Sequence, residues 1–116
     1  KQGVTSRDSG LMYRVQKSGS GKGVKSGEDS VTVTYKGFLI NGKVFDATNP
    51  GDTATFPAGR LIPGWVEALS LMKEGDSWEI VIPSDLGYGE QGAGGDIPPN
   101  QTLVFQMELV HVDPAP

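Results

Sequence analysis

The segment Val31-Thr32-Val33-Thr34-Tyr35-Lys36 alternates without a break and runs through Phe38-Leu39-Ile40 into Asn41-Gly42. Val31, Val33 and Tyr35 fall on one face and Thr32, Thr34 and Lys36 on the other. That is the pattern of an antiparallel strand buried on one side. Asn-Gly is a strong hairpin signal, because both turn residues then tolerate positive φ. Lys43-Val44-Phe45-Asp46 reads as the returning strand. The chain has 116 residues, enough for one core. Its 17 glycines and 8 prolines are about twice the usual share of roughly 12%. A sheet with many turns is expected, not a helical bundle.

The remaining pieces fit that expectation. Leu11, Tyr13 and Val15 share one face of a short strand. Ser18–Gly23 is a surface loop: it lacks the second glycine of a phosphate loop, Val24 standing there, and a strand follows it instead of a helix. Thr53–Phe56 is a short extended piece. Trp65, Leu69 and Met72, at i, i+4 and i+7, mark the one convincing helix, with Pro63 at its start and Gly75 as a left-handed cap. Trp78, Ile80 and Ile82 alternate as another strand. Leu86–Pro99 holds five glycines and two prolines, a long loop of the kind that carries function. Leu103–Val112 is apolar on both faces, which predicts a central strand. The fold class is α+β: an antiparallel sheet of five to six strands with one short helix on its concave face. Residues 1–10 read as a tail or linker, 11–112 as the domain, and 113–116 as a C-terminal tail.

Several chemistries are excluded by what is absent. There is no Cys, so no disulfide, thiolate metal site or cysteine nucleophile; the single histidine, His111, rules out a two-histidine metal site. His111 also lies far from any serine elbow and reads as a structural or surface residue. A net charge of −4 argues against a nucleic-acid surface. No apolar run reaches the ~18 residues of a membrane span. Asp46, Glu67, Asp85 and Asp96 offer no spacing that singles out a catalytic carboxylate pair. Asn100-Gln101-Thr102 matches a glycosylation acceptor, a short pattern common by chance. What is abundant is apolar and aromatic residues beside loops: Tyr35, Phe45, Phe56, Leu61, Ile62, Trp65, Tyr88, Ile97 and Phe105. These read either as core or as a binding surface. Asp46, directly after Phe45, and Tyr88, inside the glycine-rich loop, favour the second reading.

Six motifs occur together: Val31-Thr-Val-Thr-Tyr35-Lys-Gly37, Asn41-Gly-Lys-Val-Phe45-Asp46, Ile62-Pro-Gly-Trp65, Gly87-Tyr88-Gly89, Ile97-Pro-Pro99 and Thr102-Leu-Val-Phe105. In this order and spacing the chain resembles the FKBP-type peptidyl-prolyl cis/trans isomerases over roughly residues 10–112. Ser9-Gly-Leu-Met-Tyr13, Ala54-Thr-Phe56 and Ile62–Met72 look most like the Mip-like branch, the macrophage infectivity potentiators and related bacterial proteins. The resemblance implies a half-barrel sheet wrapped around the helix, with an apolar pocket between them. It implies Trp65 as pocket floor, Tyr35, Phe45, Phe56 and Phe105 as walls, and Leu61, Ile62 and Ile97 at the rim. The Ile62 N–H and the Tyr88 hydroxyl would hold substrate carbonyls, and Asp46 would sit at the polar edge. Asp46, Tyr88, Trp65 and Phe105 are thus the implied catalytic residues.

The implied substrates are proline-containing peptides and folding proteins, with the macrolides tacrolimus and rapamycin as inhibitors. No cofactor, metal, nucleic acid or membrane contact by this domain is implied. The domain alone is expected to be monomeric, in a periplasmic or cell-surface protein. Two departures stand out. Residues 47–53 contain no Arg or Lys to partner Asp46, and Ala54 is small where some relatives carry an aromatic, which predicts a wider pocket wall. The competing reading is a non-catalytic FKBP-like interaction or chaperone module.

Overall fold

β3 (Ser30–Leu39), the alternating segment, is the strand on which the sheet is organised. One of its edges pairs along its whole length with β7 (Leu103–Asp113). The other edge is shared: Lys36–Phe38 pair with β4 (Val44–Ala47) and Ser30–Val33 with β5 (Ala54–Pro57). β1 (Val4–Ser6), β2 (Met12–Lys17) and β6 (Ser77–Ile82) complete a seven-stranded sheet in the order β1-β2-β6-β7-β3-β4, with every pairing antiparallel. α1 (Pro63–Leu71) lies between β5 and β6 in the chain. The computed structural model describes residues 3–116.

The inner face of the sheet and α1 share one core. Val31, Val33, Ile80, Ile82, Leu103 and Leu109 are fully buried, as are Ala68 and Leu69 of the helix. Each of the Val, Ile and Leu side chains among them contributes roughly 1.5–3 kcal/mol by leaving water. Trp65, Leu69 and Met72 are all buried, as their spacing predicts. Pro63 occupies the first helical turn, where its missing N–H costs nothing. Gly64 is required by contact: a Cβ there would stand 2.6 Å from Ile82 Cγ2, so its absence lets the helix start seat on β6. Among the described residues no helix is long and apolar enough to cross a membrane.

The structure corrects five local expectations. Residues 4–6, placed in a tail, form β1 against β2, with Thr5 opposite Tyr13; three residues are too few to display a period. The Asn41-Gly42 turn is not a two-residue turn. Gly42 N–H donates to Leu39 O and Leu39 N–H to Lys43 O, and Gly42 has φ 90° while Asn41 is not at positive φ. This is the three-residue hairpin loop that ends in a left-handed glycine. Gly75 does not cap α1: the helix ends at Leu71 with Met72 extended, and Gly75 (φ 95°) lies in a turn closed by Asp76 N–H on Lys73 O. β7 is central but has one polar-bearing face, with Gln106, Glu108 and His111 off the core side. The strand number is seven, because β1 and the short β5 both join the sheet. The Ser18–Gly23 loop packs on that same turn, Gly21 N–H donating to Glu74 O and Lys22 N–H to Glu74 Oε1.

Candidate active site

Nine residues from six parts of the chain line one cavity of about 140 Å³: Tyr35, Phe45, Asp46, Phe56, Leu61, Ile62, Trp65, Tyr88 and Phe105. Tyr35 comes from β3, Phe45 and Asp46 from β4, Phe56 from β5 and Phe105 from β7. Leu61 and Ile62 precede α1, Trp65 sits in its first turn, and Tyr88 follows β6. Strand alternation aims Tyr35, Phe56 and Phe105 inward; Phe45 and Asp46, consecutive in β4, both reach the cavity where the β3–β4 register shifts, and the helix start closes the base.

The indole of Trp65 is the centre of the cluster. Its ring lies 4.9 Å from Tyr35, 5.2 Å from Phe105 and 5.8 Å from Phe56, each near-perpendicular at 81°. Phe45 meets Phe105 at 5.5 Å and 86°. Edge-to-face pairs of this kind contribute about 0.5–1.5 kcal/mol each beyond their buried area, so the walls are stiff. Gly37 makes the last contact possible. A Cβ there would fall 2.7 Å from both the Phe45 and the Phe105 rings.

The polar groups sit at the edge. Ile62 has extended backbone (φ −58°, ψ 148°), and its carbonyl accepts from Trp65 N–H and Val66 N–H. Its own N–H meets no acceptor among the described residues. Tyr88 is 38% exposed and is held by a short turn in which Gly92 N–H donates to Tyr88 O. Asp46 Oδ2 accepts from the Tyr35 hydroxyl at 2.7 Å and Oδ1 from Ala47 N–H at 2.9 Å. Burial, followed by the hydrogen bond and charge of Asp46, pushes the Tyr35 hydroxyl up to about 12. Burial and the Asp46 charge also raise Tyr88. Both hydroxyls are therefore neutral donors at physiological pH.

Two sequence expectations differ in place. Ile97 is not at the cavity. It is 5% exposed in the core and pairs with Ala93 in a short bridge under the glycine-rich loop. Ala54 pairs with Val33 and does not line the cavity, so its size does not widen a wall. Asp46 has no cationic partner among the described residues, and its side-chain partner is the Tyr35 hydroxyl. Sequence reasoning missed that pairing and the spatial role of Gly37. His111 lies remote from the cavity, its Nδ1 3.1 Å from Glu74 Oε2. Among the described residues no group of three His, Cys, Asp or Glu could hold a metal.

An open antiparallel sheet thus wraps one helix, with an aromatic hollow between them. The family described as FKBP-type peptidyl-prolyl cis-trans isomerase matches residues 21–110. The chain is 50% identical over 113 residues to the FKBP-type 22 kDa peptidyl-prolyl cis-trans isomerase of Escherichia coli, covering 97% of this chain and 54% of that protein. It is 47% identical over 117 residues to the outer membrane protein MIP of Legionella longbeachae, covering 99% and 49%. The crystal structure of FkpA from Escherichia coli superposes with a TM-score of 0.93 at 44% identity, over 100% of this chain and 54% of that one. The chain belongs to the FKBP-type peptidyl-prolyl cis-trans isomerase family. It spans about half the length of the curated relatives it matches.

Proposed function

We propose that this chain is a peptidyl-prolyl cis/trans isomerase acting on Xaa-Pro bonds in peptides and folding proteins. The observation that carries the reading is the cavity floored by Trp65, with two hydroxyls and one carboxylate at its edge. Relatives named as isomerases at about half identity support it.

The chemistry asks little of a protein. Rotation breaks no bond, so it requires neither nucleophile nor cofactor. The barrier of about 18–20 kcal/mol is the loss of amide resonance on twisting. Turnover in milliseconds, against ~10–100 s uncatalysed, needs a lowering of about 6 kcal/mol. A dry aromatic hollow accepts the proline ring and disfavours the charge-separated planar amide relative to the less polar twisted form. The Ile62 N–H and the Tyr88 hydroxyl hold the flanking carbonyls in a turn-like pose. Asp46, fixed by Tyr35, orients the edge of the site and sets its potential; it transfers no proton. Binding the twisted amide better than either planar isomer accelerates both directions.

At about 140 Å³ the cavity is well below the roughly 300–1,000 Å³ that encloses a drug-sized ligand. It suits one ring, with the rest of the ligand on the rim. Tacrolimus and rapamycin are proposed to bind here in that manner. The sheet and its helix are proposed as the catalytic domain, monomeric on its own, in a protein that works outside the cytoplasm.

The test is an isomerisation assay on a short Leu-Pro peptide with a tacrolimus titration. Wild type accelerates rotation and is inhibited, and Tyr88→Phe and Asp46→Leu each lose about tenfold or more in kcat/KM, equivalent to about 1.4 kcal/mol. A wild type that binds tacrolimus yet leaves the rotation rate unchanged would establish the interaction-module reading instead.

A further inference from the structure

The shared edge of β3 has a gap at Tyr35. β4 ends at Ala47, opposite Lys36, and β5 begins at Ala54, opposite Val33. Thr34 and Tyr35 lie between, with no strand residue across from them on that side. Thr48, the residue after β4, fills the place opposite Tyr35. Its N–H donates to Tyr35 O at 3.0 Å, the bond that the next rung of an antiparallel ladder would make. The return bond of such a rung would use the Thr48 carbonyl. Instead Tyr35 N–H donates to Thr48 Oγ1 at 3.1 Å, and the same hydroxyl donates to Tyr35 O at 3.3 Å. A hydroxyl can accept and donate at once, so this one serves both backbone groups of Tyr35.

Asp46, Ala47 and Thr48 together grip Tyr35 at both ends. Asp46 Oδ2 accepts from the Tyr35 hydroxyl at 2.7 Å, Ala47 N–H fixes Asp46 Oδ1 at 2.9 Å, and Thr48 holds the Tyr35 backbone. We propose that Thr48 is a positioning residue of the site: its hydroxyl sets the Tyr35 backbone so that the ring meets Trp65 while the phenol meets Asp46, and it acts on isomerisation through that pair. This rests on the isomerase reading and adds a residue to its machinery. Thr48 does not line the aromatic cavity, so it does not touch the substrate held there. It borders a separate polar hollow of about 290 Å³, with Thr34, Lys36, Gln106 and Glu108. Without the hydroxyl, Tyr35 N–H is therefore open to water and not left orphaned, and the fold survives its loss. What is lost is placement, to which sites that work by orientation are sensitive.

Thr48→Val removes the hydroxyl and keeps the β-branched shape; Thr48→Ser keeps the hydroxyl. On a Leu-Pro peptide Thr48→Val is expected to lose about threefold in kcat/KM, and Thr48→Ser to match wild type. The double variant Thr48→Val, Tyr35→Phe is expected to be no slower than Tyr35→Phe alone, because both changes break the same link. A role in the fold alone would make the two losses multiply. Three results overturn the proposal: Thr48→Val at wild-type rate, Thr48→Ser as slow as Thr48→Val, or multiplying losses in the double variant. Thr48→Ala is read by the same criteria if Thr48→Val does not fold. If wild type leaves the peptide's rotation rate unchanged, the isomerase reading falls alone. Absorbance at 295 nm then decides the positioning: the latest tyrosine ionisation moves to lower pH in Thr48→Val and stays in place in Thr48→Ser, since the Asp46 bond helps to raise Tyr35. An ionisation unmoved in Thr48→Val overturns the proposal on its own.

Discussion

The Tyr35 hydroxyl donates to Asp46 Oδ2 at 2.7 Å, across the β3–β4 hairpin and at the mouth of the cavity. Tyr35 also meets the Trp65 ring at 4.9 Å, so one side chain links the floor to the charged edge. Tyr35→Phe keeps the ring contact and removes the donor. Asp46 then retains only the Ala47 N–H and can rotate away. Isomerisation of a Leu-Pro peptide is expected to fall about three- to tenfold in kcat/KM. The cost in stability is expected to stay under about 1.5 kcal/mol, because the pair is partly hydrated. Kinetics and urea unfolding of the same preparation separate the two.

That hydrogen bond also has a titration signature. Tyr35 is raised from 10.0 to about 12, by burial first and by Asp46 second. A tyrosine raised on folding binds its proton more tightly in the native state. Its contribution to stability is therefore complete below pH 10 and is lost as pH rises through about 12. Absorbance at 295 nm followed through this range is expected to show a late-ionising tyrosine. Tyr35→Phe should remove the latest component; a late component of unchanged size in the variant would rule out the assignment.

Gly37 is expected to behave as a pocket residue although it has no side chain. A Cβ there collides with both Phe45 and Phe105, and overpacking of this kind costs roughly 1–3 kcal/mol. In Gly37→Ala the two rings must part or turn into the hollow. KM for a Leu-Pro peptide is expected to rise several-fold while far-ultraviolet dichroism stays native. An unchanged KM would show that the rings relax away from the substrate.

Much of this site was legible because its residues lie on long regular elements. Strict alternation put Tyr35 on the buried face of β3, and helical spacing put Trp65 with Leu69 and Met72. Phe45, Phe105 and Tyr88 came from motif resemblance. The illegible parts depend on non-local geometry. The Tyr35–Asp46 bond depends on a register shift between Gly37 and Phe38 in the β3–β4 ladder, which no local pattern encodes. Ile97 has the composition of a rim residue, but its bridge to Ala93 turns it into the core. β1 is three mostly polar residues whose only signal is the open edge of β2.

Acid sensitivity is expected to originate away from the cavity, at Asp29 and Glu74. Asp29 is 4% exposed and accepts N–H bonds from Ala115, Lys25 and Ser26, fastening the residues after β7 to the start of β3. Glu74 accepts from Val112 N–H at 2.7 Å and from Lys22 N–H, with His111 3.1 Å from the same carboxylate. The Ala115 amide foremost holds Asp29 below its ordinary 3.8, and the Val112 amide holds Glu74 below 4.5. Both carboxyls thus bind protons less tightly folded than unfolded. Their contribution is complete above these ordinary values and is lost as pH falls through the depressed ones. Glu74→Gln is expected to lower Tm at pH 7 and to match wild type near pH 2. Thermal melts from pH 7 to pH 2 check this: a Tm difference that persists unchanged to pH 2 would mean that packing, not the charge on Glu74, holds Lys22 and Val112 together.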